Sequence, residues 1–105
     1  MSAAEIDAWS RRFALLGDST RLALLVEMHS APDSLVSELA AEVGITENAA
    51  SQSLRALRDQ GWVQADKVGR TVRYRLVNDA IVHRILHDVV GVHHSHPSGR
   101  TGDQD

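Results

Sequence analysis

Five histidines crowd one end of this 105-residue chain: His83, His87, His93, His94 and His96, with Asp79 just ahead of them. Residues four apart share a helical face, so Asp79 and His83, and likewise His83 and His87, can offer neighbouring donors. His93 and His96 are separated by two residues. Carboxylate oxygen and imidazole nitrogen suit Zn(II) in tetrahedral geometry, or Ni(II) and Co(II) at higher coordination. The chain has no cysteine, which argues against soft ions such as Cu(I), Cd(II) and As(III) and removes disulfides and cysteine nucleophiles. A competing reading is electrostatic. Imidazolium is favoured near a helix C-terminus, and a fraying His-rich end binds divalent ions loosely without any signalling role. His29 stands alone at the end of the second predicted helix and reads as a cap or surface residue.

A second set of side chains could read a nucleic acid. Thr46, Asn48, Ser51, Gln52, Ser53 and Arg55 fall within ten positions. Asn and Gln can make paired donor–acceptor contacts with adenine, Arg can reach guanine or phosphate, and Ser can bond to either base or phosphate. Arg70 and Arg73 follow, suited to gripping a sugar–phosphate backbone. The competing reading is an amphipathic helix with a solvated polar face and a surface hairpin.

The elements that must position these groups are legible in hydrophobic period. Ile6, Trp9, Phe13 and Leu16 fall on one face of a first helix that Gly17 ends. Asp18 and Ser19 can cap a second helix with Leu22, Leu24, Leu25, Val26 and Met28. "SAPD" at 30–33 breaks the chain, because Pro32 disfavours helical angles at Ala31. "SLVSELAAEVG" predicts a short helix with Leu35, Leu39 and Val43 on one side, and Gly44 suits the left-handed position past its end. Thr46 is a good N-cap for "ENAASQSLRALRDQ", whose Ala50, Leu54 and Leu57 face inward, and Gly61 closes it. "WVQADKVGRTVRYRLV" alternates and is rich in β-branched and aromatic residues, so it predicts a hairpin turning at Gly69. Asn78 or Asp79 can cap a last helix with a broad apolar surface: Ile81, Val82, Ile85, Leu86, Val89, Val90 and Val92. Gly91 costs that helix about 1 kcal/mol relative to alanine. Pro97 follows, and "SGRTGDQD" is expected to be a disordered polar tail.

Two short helices across a three-residue turn, then a hairpin, make a winged helix-turn-helix, mainly α with a β-hairpin wing (α+β). The second helix of such a unit enters the major groove of double-stranded DNA. The net charge of −3 hides an asymmetry: residues 1–45 sum to −4, residues 46–75 to +3 and residues 76–105 to −2. The basic middle is an electrostatic footprint for phosphate, or else a solvated charged surface. The N-terminal stretch carries acids and no apolar run, so it is not read as a signal peptide, and no stretch reaches the roughly 20 apolar residues of a membrane span. The expected setting is cytoplasmic. One domain is expected over 1–94, with the tail at 95–105.

"ALLGDSTRLALLVEM", "VSELAAEVGITENAASQSLRALRDQGWV" and "GRTVRYRL" together resemble the bacterial ArsR/SmtB-type metal-sensing repressors, over roughly residues 9–94. Ser51, Leu54, Leu57, Gly61 and Val63 fall in the family's helix-turn-helix pattern. The family often has histidine after the recognition-helix serine. Here it is Gln52, so no base preference carries across. The resemblance implies a homodimer paired through first and last helices, in keeping with the apolar stripes around Trp9 and Val89. It implies DNA binding that a metal or another signal modulates, most often by release from an operator.

The resemblance also implies a metal site across the paired last helices, with Asp-x-His near one helix start and His-x2-His near the other helix end. Asp79, His83, His93 and His96 map onto it, with His87 and His94 in reserve, although Ile81 stands where the pattern has its first histidine. Ni(II) is favoured slightly over Zn(II), because extra imidazoles and a carboxylate can fill more than four positions. The family's thiolate site is absent, since "DSLVSEL" has no cysteine. One alternative is a metal-independent regulator acting with a second regulatory protein, or as an activator. A remote one is a metal-dependent hydrolase, but there is no HExxH and only Asp88 lies inside the cluster.

Overall fold

The computed structural model describes the main chain of residues 1–94 and the side chains of residues 1–91. Helix α1 (Ala3–Ala14) begins at Ser2, whose hydroxyl accepts from the Glu5 amide while the Glu5 carboxylate accepts from the Ser2 amide. This reciprocal cap holds the Glu5 carboxyl below its ordinary value. The helix tightens into a 3-10 turn at Leu15–Gly17. Asp18 then caps α2 (Ser19–Ser30), as its residue type predicts, by accepting from the Arg21 amide. The break expected at 30–33 follows, and Asp33 takes a positive φ of 60°.

Here the structure departs from the sequence reading. Ser34–Leu35 is a two-residue strand, β1, and helix α3 (Val36–Val43) starts one residue beyond Leu35. The Leu35 amide donates to the Glu38 carboxylate at 2.8 Å, the acidic half of a capping arrangement whose leucine has no acceptor of its own. Helix α4 (Glu47–Asp59) follows, then β2 (Val63–Val68), β3 (Thr71–Leu76) and α5 (Ala80–His94). The sheet is antiparallel in the order β1-β3-β2, with Ser34 opposite Tyr74 and Ala65 opposite Tyr74 on the other side.

One core joins these elements. Leu24, Leu25 and Met28 of α2, Leu39 of α3, Leu54 and Leu57 of α4, Trp62, Val63, Tyr74 and Leu76 of the hairpin, and Val82 and Leu86 of α5 are buried together. Fully burying each such aliphatic side chain is worth about 1.5–3 kcal/mol relative to exposure. The apolar surface of α5 is divided: Val82 and Leu86 enter the core, while Ile81 and Val89 stay outside it. Helix α1 buries no residue, and its Ile6 and Phe13 are exposed. The histidines at 93, 94 and 96, and the tail expected at 95–105, lie outside the described side chains.

Candidate functional site

The turn between α3 and α4 is set by two residues. Gly44 has φ 81°, a conformation that costs other residues about 1–2 kcal/mol, and its amide donates to the Ala40 carbonyl at 2.9 Å. Thr46 Oγ1 accepts from the Ala49 amide at 3.1 Å and so starts α4. Ala50, Leu54 and Leu57 seat that helix on the core. Asn48, Gln52 and Arg55 are exposed and fall at i, i+4 and i+7, a single outward line. Ser51 and Ser53 are half-buried, and Ser53 lies roughly 140° round the helix from Asn48. Glu47 in the first turn complements the helix dipole.

The wing places its three arginines differently. Gly69, at φ 63°, turns the hairpin, and Arg70 beside it is exposed. Among the described residues Arg70 makes no ion pair or side-chain hydrogen bond. Arg73 instead donates to the Asp33 carbonyl at 2.9 Å, tying β3 to the turn before β1. Arg75 pairs with Asp66 at 2.7 Å, and Gln64 donates to the same carboxylate at 3.2 Å. The Arg75 bond first, and the Gln64 bond second, hold the Asp66 carboxyl below its ordinary 3.8. Part of the wing's formal positive charge is therefore neutralised internally. A cross-strand acid in "VQADKV" was the available signal, but it could be read only once the register was known.

Arg12 carries a contact that sequence reading missed. Its Nε donates to the Gln60 carbonyl at 3.0 Å and its Nη2 to the Gly61 carbonyl at 3.3 Å. The guanidinium lies 4.5 Å from the Trp9 ring centre and 5.2 Å from that of Trp62. Trp62 Nε1 in turn donates to the Arg12 carbonyl at 3.0 Å. A cation at the carbonyl end of a helix is favoured by the dipole, and a planar guanidinium can stack and fork at once. Helix α1 is thereby fastened to the end of α4.

Of the proposed metal ligands, Asp79 caps α5, its Oδ1 accepting from the Ile81 amide at 2.8 Å and the Val82 amide at 3.3 Å. The other carboxylate oxygen makes no side-chain bond among the described residues. His83 is exposed one turn along α5, and its amide donates to the Asp79 carbonyl. Two donors from one protomer are half of what tetrahedral zinc needs. No group of three or more metal-ligating side chains occurs among the described residues. Asp79 does line one groove with Arg12 of α1 and with Asp59, Gln60 and Gly61 at the end of α4.

Helix, tight turn, helix and antiparallel hairpin are the architecture of known regulators. A family profile, bacterial regulatory protein of the arsR family, matches residues 18–65. The HTH-type transcriptional regulator NmtR of Mycobacterium tuberculosis is 33% identical over 91 residues, covering 79% of this chain and 74% of that protein. The chain belongs to the arsR family. A homodimeric winged helix-turn-helix DNA-binding domain from Mycobacterium bovis superimposes with a TM-score of 0.76 at 28% identity, over 91% of this chain and 87% of that one. The AntR antimony-specific transcriptional repressor has a TM-score of 0.75 at 31% identity, over 90% and 84%. This arsR-family chain is thus a DNA-binding transcriptional regulator and not a hydrolase. Among the described residues no helix is long and apolar enough to cross a membrane.

Proposed function

We propose that the chain is a homodimeric cytoplasmic repressor whose grip on a double-stranded DNA operator is set by a divalent metal ion, Ni(II) or Zn(II). Asn48, Gln52 and Arg55 read the major groove, with Ser51 and Ser53 at their flank and Thr46 at the helix start. Arg70 meets phosphate beside them, and Arg73 shapes the wing. The working unit is residues 1–94. Dimerisation is supported by the exposed Ile6, Phe13, Ile81 and Val89 on the first and last helices. It is also supported by a flat 45 × 41 × 22 Å shape with a radius of gyration of 15.5 Å, against about 13 Å for a compact domain of this size.

The observation that carries metal control is the position of Asp79. It stands at the start of α5 and borders the groove that ends α4. Asp79 and His83 of one protomer supply one half of the ligand set. His93 and His96 supply the other, with His87 and His94 in reserve. The ion supplies a charge that draws these donors together. The chain's own residues do the rest: Asp79 fixes the start of α5, and Arg12 holds the end of α4 across the groove. The absence of cysteine leaves nothing to hold a soft metalloid such as the antimony of the AntR repressor. A coupling of about 1–3 kcal/mol between metal and DNA changes operator affinity on the order of 5–150-fold.

The test is operator affinity with and without Ni(II) and Zn(II), on DNA selected from a randomised pool. Asp79→Asn keeps a good N-cap but removes the charged donor, so its fold should be unchanged and its metal response lost. An unchanged operator affinity for wild-type protein with both metals rejects metal control and favours the metal-independent regulator acting with a second protein.

A further inference from the structure

The mechanism above leaves His29 unused. It sits in the last turn of α2, far in sequence from the His-rich end of the chain, yet its ring centre lies 6.5 Å from that of His87 on α5, with the rings inclined at 44°. Both side chains reach solvent, His87 more than His29. They border a groove between α2 and α5 whose other walls are Val26, Ser30, Val89, Val90 and Gly91. Two imidazoles with ring centres 6.5 Å apart at the rim of a largely apolar groove are near enough to share an ion.

From this pair we infer a second divalent-metal site, built within one protomer and bridging α2 to α5 through His29 and His87. With metal–nitrogen distances of 2.0–2.1 Å, tetrahedral zinc holds two imidazole centres about 5 Å apart. The rings must therefore close by about 1.5 Å, which the broad χ2 range of histidine in two accessible side chains permits. Water completes the coordination, and imidazole donors select a borderline ion, Zn(II), Ni(II) or Cu(II), over Mg(II) or Ca(II). This site differs from the proposed inter-protomer site in connecting the scaffold of the helix-turn-helix directly to the last helix of the same chain. A bound ion here acts as a clasp between α2 and α5. The site needs no second copy of the chain and does not use Asp79 or His83.

The experiment uses the full chain in an Asp79→Asn/His83→Ala background, so that the inter-protomer site loses its first pair of donors while the rest of the sequence is kept. Thermal unfolding with Zn(II), and the histidine imidazole NMR signals with substoichiometric Co(II), are compared with and without an added His29→Ala change. The expected result is a zinc-dependent rise in Tm that His29→Ala removes, with at least a tenfold loss in zinc affinity and Co(II) broadening of His29 and His87 together. An equal zinc response in both proteins, or broadening that spares His29, overturns the site. Neither outcome bears on metal control through Asp79, which the wild-type operator titration decides by itself. Far-UV circular dichroism of His29→Ala checks that the half-exposed substitution leaves the helices intact.

Discussion

Replacing Arg70 with alanine removes a cation on which the fold makes no demand. It is exposed beside Gly69 and has no ion pair or side-chain hydrogen bond among the described residues, so stability should move by less than about 0.5 kcal/mol. Its proposed use is one phosphate contact per wing, and a dimer has two wings. Each neutralised phosphate contributes about 0.9 to the slope of log affinity against log salt, so the Arg70→Ala slope should be shallower by about 1.8. At roughly 0.1 M salt the same counterion argument makes operator binding about 60-fold weaker, or about 2.5 kcal/mol. Fluorescence anisotropy on labelled duplex across a sodium chloride series reads both quantities. The loss should be nearly equal for operator and for unrelated duplex, because a phosphate contact carries no sequence information. Arg75→Ala is the internal control: its guanidinium is already spent on Asp66, so its slope should stay within about 0.5 of wild type. An Arg70→Ala slope that matches wild type would refute the wing contact, and a loss confined to the operator would mean that Arg70 reads bases instead.

Three further outcomes follow from the packing. Arg12→Ala should lower stability by about 2–3 kcal/mol in urea unfolding, and Arg12→Lys should recover little of it, because an ammonium cannot both fork to Gln60 and Gly61 and stack between two indoles. The Asp66 carboxyl is held below 3.8 in the fold, so its contribution is complete above that pH and is lost as pH falls through the lower folded value. The stability gap between wild type and Asp66→Asn should therefore stay constant from pH 7 to about 5 and close below about 3.8, as followed by urea midpoints. Leu57→Ala, at a fully buried position beneath the outward face of α4, should cost about 2–5 kcal/mol by calorimetry and weaken operator binding only through loss of folded protein.

The parts of the fold legible in the sequence were those written in local rules. Asp18 and Thr46 cap where short polar side chains must, Gly44 and Gly69 take positive φ where the chain turns, and the spacing of Ala50, Leu54 and Leu57 gave the inward side of α4. Strand β1 was hidden because two residues show no period; only pairing with β3 makes Ser34 and Leu35 a strand. The grip of Arg12 on Gln60, Gly61 and Trp62 spans about fifty positions and leaves no mark on either local pattern. For the same reason the sequence paired Arg70 with Arg73 as backbone contacts and assigned nothing to Arg75. The fold alone distributes them to solvent, to the Asp33 carbonyl and to Asp66. His29 and His87 were likewise read apart because they lie on different helices.

The fastening of α1 has an evolutionary consequence. Arg12 holds two main-chain carbonyls, which every residue supplies, so position 60 can drift without loosening the helix. What cannot drift separately is the pair of positions 12 and 62, since the guanidinium lies against the indole and the indole N–H returns to the Arg12 carbonyl. Position 12 lies outside residues 18–65, the stretch by which the family is recognised, while position 62 lies inside it. Among related chains, arginine or a stacking substitute at position 12 should therefore rise and fall with tryptophan at position 62. A lineage that loses one should show a rebuilt first helix.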